Sequence, residues 1–157
     1  MKQIKQIIFF SSLLVTAAAF AQPHRHVDRV IDGDTIVLDG KEHVRLIGIN
    51  APEIQHRKPV QCFGSEARDY LKRRLEGKDV VLKYDRQRLD KYNRTLAYIY
   101  LNHAFINEEM IKNGYAIAYR RFPFKYKKAF VKAEQGAREE RLGMWGEWGG
   151  KDDLKEY

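Results

Sequence analysis

Two aspartates flank a glycine inside an apolar run near the start of the chain, in the sequence IDGDT at residues 31–35. Asp-Gly is a strong signal for a tight turn between two strands. That interpretation accounts for Asp32 and Gly33 but gives Asp34 no role. Because short motifs often match by chance, this segment taken alone favours the turn.

An arginine lies in the next apolar run, in the sequence RLIGINAPE at residues 45–53. Strand alternation places Arg45 on a face with apolar residues, where an unpaired guanidinium is costly. Its structural interpretation is a salt bridge with a nearby acid, and its functional interpretation is a cleft that receives an anionic ligand. Asn50 and Glu53 follow the strand, where a turn at Pro52 can direct both side chains inward.

A second arginine, Arg94, lies where a polar turn enters an apolar strand, in the sequence DKYNRTLAYIY at residues 90–100. Its structural interpretation is an ordinary surface cation at a strand edge.

The elements that must position these residues follow from periodicity and turn signals. We predict five strands, at residues 27–31, 35–38, 42–49, 79–84 and 95–101. A first helix begins at an N-cap on Ser65 and ends at Gly77. Two further helices are predicted at residues 107–113 and 124–142. This order fits a small α+β domain built on a five-stranded barrel of the oligonucleotide-binding (OB) type.

Three segments in this order, IDGDT, RLIGINAPE and DKYNRTLAYIY, resemble the staphylococcal nuclease (thermonuclease) family. The resemblance extends to FGSEA at residues 63–67 and to NEEMIKNGYA at residues 107–116. It spans Val27 to Trp145 and implies an α+β fold, a five-stranded OB-fold β-barrel with three α-helices. Three motifs in order at compatible spacing are far more specific than any one of them.

The resemblance also implies an activity and assigns roles. Members of the family hydrolyse phosphodiester bonds of DNA and RNA with Ca²⁺ and leave 3′-phosphates. The family's catalytic arginines fall on Arg45 and Arg94, and the glutamate that activates water falls on Glu53. Its second DGDT aspartate, a calcium ligand, falls on Asp34.

The implied metal site departs from the family pattern at two positions. Asn50 stands where the well-studied member has an aspartate, and Ala51 stands where it has a threonine. That threonine binds the metal through its carbonyl, so Ala51 can serve equally. Asn50 offers an amide oxygen without charge, and calcium affinity depends on ligand charge. We therefore expect Asp34, Asn50 and Ala51 to bind Ca²⁺ more weakly than an all-carboxylate site, with Asp32 in the turn and at longer range.

The first 21 residues have the pattern of a secretory signal peptide. Two lysines precede an apolar run, and Ala19-Phe20-Ala21 is a signal peptidase site, so we predict cleavage after Ala21. The remaining 136 of 157 residues carry 27 basic against 21 acidic side chains, a net charge of +6, which suits a polyanionic partner. Cys62 is the sole cysteine, so no intrachain disulfide can form.

We therefore predict an exported nuclease domain at residues 22–148, followed by a flexible polar tail at residues 149–157. The protein is expected to be periplasmic or secreted, monomeric, free of the membrane after signal cleavage, and to act on DNA and RNA. A catalytically inactive OB-fold nucleic-acid-binding module is the alternative, and a purely structural periplasmic domain is a third. A binding module needs the two arginines but not Glu53, and this difference separates the first two hypotheses.

Overall fold

The computed structural model describes residues 23–54 and 63–146. The predicted signal peptide, Cys62 and the predicted tail lie outside the described residues. The described chain forms, in order, β1 (His24–Asp32), β2 (Thr35–Leu38), β3 (Glu42–Leu46), β4 (Ile49–Asn50), α1 (Gly64–Leu75), β5 (Asp79–Lys83), β6 (Thr95–Leu101), β7 (Ala104–Phe105), α2 (Ile106–Lys112), β8 (Ile117–Ala118), α3 (Lys127–Glu139) and a 3₁₀ turn at Gly143–Trp145.

Five of these strands close into a barrel. Strands β3, β2, β1, β5 and β6 pair in that order through antiparallel ladders, and a parallel ladder between β3 and β6 closes the ring. The register pairs Arg45 with Thr35 on one side and with Leu96 on the other. The predicted five-stranded OB-type barrel with three α-helices is therefore confirmed.

The barrel is filled from every strand, because each contributes at least one fully buried apolar side chain: Val27, Ile36, Val44, Val80 and Ile99. The helices cover this core with the apolar faces that their periodicity predicts. Their buried residues include Ala67, Leu71 and Leu75 of α1, Ile106, Met110 and Ile111 of α2, and Phe130 and Ala137 of α3. Within the described part of the chain, none of the helices has the length and hydrophobicity that a membrane crossing requires.

Two helix boundaries differ from the prediction. The N-cap of α1 is Phe63, which has a φ of 71° and makes no side-chain capping hydrogen bond, so the assignment of Ser65 as the cap is wrong. Helix α3 is also shorter than predicted, because residues 124–126 precede its first turn and residues 140–142 follow its last.

The strand predicted at residues 42–49 is interrupted between Leu46 and Ile49. Gly48 has a φ of +78°, and a Cβ added there would lie 2.5 Å from the ring of Phe124. Only glycine suits both the backbone conformation and the close approach of that ring. The break redirects the chain into β4, which leaves the barrel and pairs with β8.

Candidate active site

The turn between β1 and β2 consists of Gly33 and Asp34, because Asp32 pairs directly with Thr35. A Cβ on Gly33 would lie 2.5 Å from the Cβ of Ala51 and 2.9 Å from that of Ala67. This turn is therefore enclosed by the segment after β4 and by the first turns of α1. The predicted hairpin is correct, but its turn is Gly33-Asp34 rather than the predicted Asp32-Gly33, and the Asp34 side chain is buried.

Asp34 connects three parts of the chain. Its Oδ1 accepts a hydrogen bond from the Thr35 hydroxyl at 3.0 Å, and its Oδ2 accepts the Ala51 N–H at 2.9 Å. The same Oδ2 lies 2.9 Å from Nη2 of Arg45, and only 9% of the Asp34 side chain is exposed. A buried carboxylate needs such partners, since burial without them is costly.

Arg45 is held by three hydrogen bonds and one ion pair. Its Nη1 donates to the main-chain oxygens of Leu46 at 3.0 Å and Ile49 at 2.9 Å, and its Nη2 donates to Oδ1 of Asn50 at 3.0 Å. With the Asp34 contact, both terminal nitrogens are occupied within the described chain. The structural interpretation of Arg45 as an ion-pair partner is therefore correct, and the guanidinium also fixes the turn between β3 and β4.

The predicted metal-binding residues belong to this one cluster. Asn50 contacts Arg45 through its side chain, and the N–H of the buried Ala51 contacts Asp34. Asp32 adds a second carboxylate, because its Oδ1 accepts the Asp34 N–H at 3.1 Å. Burial, and then the nearby Asp34 charge, raise the pKa of Asp32 to about 7.

The donor set suits a hard cation. The cluster contains the carboxylates of Asp32 and Asp34 and the side-chain oxygen of Asn50, and such oxygens are ligands that Ca²⁺ accepts. Across residues 23–54 and 63–146, no group of three or more His, Cys, Asp or Glu side chains converges on a metal position. A cation here would therefore depend on Asp32, Asp34, Asn50 and main-chain oxygens.

Glu53 follows the buried Pro52 and is itself exposed to solvent. It lies two residues after Ala51, whose N–H is fixed to Asp34. Glu53 is thus near the cluster in sequence, on the segment that the cluster anchors.

Arg94 lies immediately before β6, the strand that pairs with β3. The parallel ladder pairs Arg45 with Leu96, and Arg94 precedes Leu96 by two residues in the chain. Its Nε donates to Oδ2 of Asp90 at 2.7 Å, and about 30% of the side chain is exposed. Burial acts to raise the pKa of Asp90, but hydrogen bonds from the Arg94 main chain and side chain outweigh it and hold that pKa low.

Asn107 supports the site and was given no role from the sequence. It is fully buried at the start of α2, and its Nδ2 donates to the main-chain oxygens of Ile47 at 2.9 Å and Ala97 at 3.3 Å. Its Oδ1 accepts the Ile99 N–H at 2.8 Å. The signal in the sequence that could have identified Asn107 was an amide side chain among the apolar positions of a short helix.

A closed OB-type barrel with a buried aspartate and a fixed arginine defines a class of protein, the small OB-fold domains of α+β type. Residues 43–147 match the family model described as Staphylococcal nuclease homologue. The chain belongs to the staphylococcal nuclease family, and the resemblance predicted from the sequence is confirmed.

Individual relatives agree with this assignment. The chain is 42% identical over 124 residues to a thermonuclease of Staphylococcus hyicus, covering 76% of this chain and 73% of the relative. It is 41% identical over 125 residues to a thermonuclease of Staphylococcus intermedius, with 76% and 74% covered. An SPbeta prophage-derived endonuclease of Bacillus subtilis is 36% identical over 128 residues, which is 76% of this chain but 43% of that protein.

Proposed function

We propose that this protein is an exported nuclease that hydrolyses phosphodiester bonds of DNA and RNA with Ca²⁺ and releases 3′-phosphate products. The observation that carries the proposal is the cluster of Asp34, Arg45, Asn50 and Ala51, with Arg94 immediately before the strand that pairs with β3. Relatives that are 36–42% identical over 76% of this chain carry the names thermonuclease and endonuclease.

The bond to be broken joins phosphorus to the 5′-oxygen of the following nucleotide. A water oxygen attacks phosphorus in line with that bond, and Glu53 accepts the proton that the water loses. The 5′-oxygen leaves with the bonding pair and takes a proton from solvent, so the phosphate remains on the 3′-oxygen. Glu53 suits this role because it is a solvent-accessible carboxylate beside the anchored segment.

Negative charge develops on the equatorial phosphate oxygens during this attack, and fixed cations stabilise it. Arg94 suits the task because, among the described residues, the hydrogen bonds of its side chain use only Nε, and its Nη groups are the planar donors that grip phosphate. Arg45 has its Nη groups committed, so its contribution is positive charge held at a fixed position and its Nε–H. The two guanidiniums therefore have different roles.

Asp34, Asn50 and a main-chain oxygen of Ala51 would hold the calcium ion, with Asp32 at longer range. When bound, Ca²⁺ supplies Lewis acidity toward the phosphate and its attacking water. One of the three ligands is an amide, so we expect weak calcium affinity, since affinity follows the charge of the ligands. The net charge of +6 on residues 22–157 supports attraction of a polyanionic substrate.

The test is cleavage of plasmid DNA and of total RNA by the mature chain, residues 22–157, with Ca²⁺ and with chelator. Cleavage that requires Ca²⁺ is expected on both substrates, and the products should carry 3′-phosphates. Glu53→Gln should lower kcat by about two to three orders of magnitude, as removal of a single catalytic contact does. Glu140→Gln makes the same change at an exposed position after α3 and is expected to behave as wild type.

The outcomes are distinct. Absence of cleavage at every Ca²⁺ concentration up to tens of millimolar would overturn the proposed activity and favour a binding module. Cleavage that leaves 5′-phosphates would contradict the assigned bond. An N-terminal sequence of the exported protein that begins at Met1 would contradict the predicted signal cleavage, and a dimer in analytical ultracentrifugation would contradict the monomer.

A further inference from the structure

The segment between β5 and β6, residues 84–94, carries cations and exposed aromatic rings. Of these groups, only Arg94 has a role in the proposed chemistry. We call this segment the 84–94 loop. Its cationic side chains are Arg86, Arg88, Lys91 and Arg94, against two aspartates. Tyr84 is 39% exposed and Tyr92 is 67% exposed, which is unusual for rings of this size.

Both aspartates of the 84–94 loop accept hydrogen bonds that fix its conformation. Asp85 accepts the Tyr98 hydroxyl at 2.6 Å, the Lys125 N–H at 2.8 Å and a neighbouring main-chain N–H. Asp90 accepts two main-chain N–H groups within the loop and the Nε of Arg94. The loop therefore presents cations rather than carboxylates to solvent.

The guanidinium of Arg88 lies against the ring of Tyr84. Its Cζ lies 3.8 Å from the centroid of the Tyr84 ring, so the guanidinium stacks on that ring. Within residues 23–54 and 63–146, no carboxylate forms an ion pair with Arg88. A guanidinium stacked in this way keeps its N–H edge for phosphate and its outer face for a nucleobase.

The register places Arg88 on the same face as Arg45. Leu89 forms an antiparallel bridge with Thr95, and the Leu96 N–H donates to the Arg88 oxygen at 2.8 Å, so Arg88 lies opposite Leu96. Leu96 in turn lies opposite Arg45 in the parallel ladder. Residues opposite one another share a face, and two strand spacings amount to about 10 Å.

We propose that Tyr84 and Arg88 form a subsite for a nucleotide that flanks the cleaved bond on a single strand. The base stacks on the Tyr84–Arg88 pair, and its phosphate accepts hydrogen bonds from the Arg88 guanidinium. Stacking and charge together bind single strands without regard to sequence. The subsite rests on the proposed nuclease function, and it predicts that substrate length beyond the dinucleotide improves binding.

The experiment compares single-stranded substrates of two and eight nucleotides. Arg88→Gln should raise KM for the octanucleotide about tenfold, with the loss confined to the longer substrate, because one stacked base contributes at least this much. The salt dependence of octanucleotide binding should fall by about one phosphate contact in Arg88→Gln and stay unchanged in Tyr84→Leu. Arg73→Gln removes the same charge from an exposed position on α1 and serves as the matched control.

Fluorescence anisotropy of the labelled octanucleotide in chelator measures binding without cleavage, so the subsite is tested even if the wild type cleaves nothing. A wild type that cleaves nothing would overturn the nuclease proposal but not the subsite. If Arg88→Gln binds the octanucleotide as tightly as Arg73→Gln, or weakens both substrates by one factor, the subsite is refuted while the nuclease proposal stands. Tyr84→Phe keeps the ring and should bind like the wild type, which separates stacking from misfolding.

Discussion

Replacement of Arg45 by methionine should affect stability far more than the same replacement of Arg94. Arg45 is 14% exposed and contacts Asp34, Asn50 and two main-chain oxygens. Its removal leaves the buried Asp34 charge without its cation. Removing one partner of a buried ion pair costs about 3–5 kcal/mol in the free energy of unfolding.

Arg94 has a different environment. Its ion pair with Asp90 has side-chain exposures of 30% and 16%, and Asp90 keeps its main-chain partners when the arginine side chain is lost. An exposed pair of this kind contributes about 0.2–1 kcal/mol. Yet both replacements should lower kcat by about two to three orders of magnitude, because each removes positive charge proposed to act on the phosphate.

Urea unfolding in chelator separates the two effects, since no cation then stabilises the site. With a slope of about 2 kcal/mol per molar, Arg45→Met should lower the unfolding midpoint by about 2 M and Arg94→Met by less than about 0.5 M. Arg73→Met, on the exposed side of α1, is the control for loss of one charge. Arg45→Lys keeps the charge without the planar fork and should fall between the wild type and methionine.

Equal midpoints for Arg45→Met and Arg94→Met would refute the reasoning. Such a result would mean that the contacts of Arg45 with the turn contribute no more than a surface pair. Retention of normal kcat in Arg94→Met would leave the stability argument intact but remove Arg94 from the proposed chemistry.

Three further predictions concern other groups. Asn50→Asp should tighten Ca²⁺ binding about tenfold in calorimetry because it adds ligand charge, and unchanged affinity would exclude Asn50 as a ligand. Glu134→Gln should lower the free energy of unfolding by about 2 kcal/mol in urea titrations, because the buried Glu134 carboxylate accepts charged hydrogen bonds. Arg74, and then Tyr70, lower the pKa of Glu109 in the folded state, so its contribution is present above the unfolded pKa of about 4.3 and is lost as pH falls. Glu109→Gln should therefore flatten the decline of stability between about pH 5 and pH 3, and an unchanged decline would contradict this.

The barrel was predictable because its strands depend on local patterns. The strands at residues 35–38 and 95–101 have the predicted bounds, since alternation and flanking turn residues define them. Local signals also predict that α1 ends before Gly77 and that α2 ends before Gly114. The cap of α1 was not predictable, because a residue at positive φ takes the place of the expected serine.

The sequence predicted candidate site residues but not the contacts among them. The motifs placed Asp34, Arg45 and Asn50 in one family pattern, and the structure joins them in one hydrogen-bonded cluster. The sequence left open whether Arg45 pairs with an acid, because that contact joins Arg45 of β3 to Asp34 in the turn between β1 and β2. The break at Gly48 was missed because its cause, the Phe124 ring, lies 76 residues later in the chain.

Buried polar side chains of the helices fix the segment that carries the site. Asn107 of α2 holds the oxygen of Ile47, and Glu134 of α3 accepts the N–H of Ala118, which pairs with Ile49. The turn between β3 and β4 is therefore anchored on both sides of Gly48 from elements outside the barrel. Arg45 binds the oxygen of Ile49 on this same turn, so its guanidinium is positioned by α2 and α3 as well as by its own strand. Because buried polar networks hold one geometry only when every member is satisfied, a change in either helix anchor should disturb the site before it unfolds the barrel.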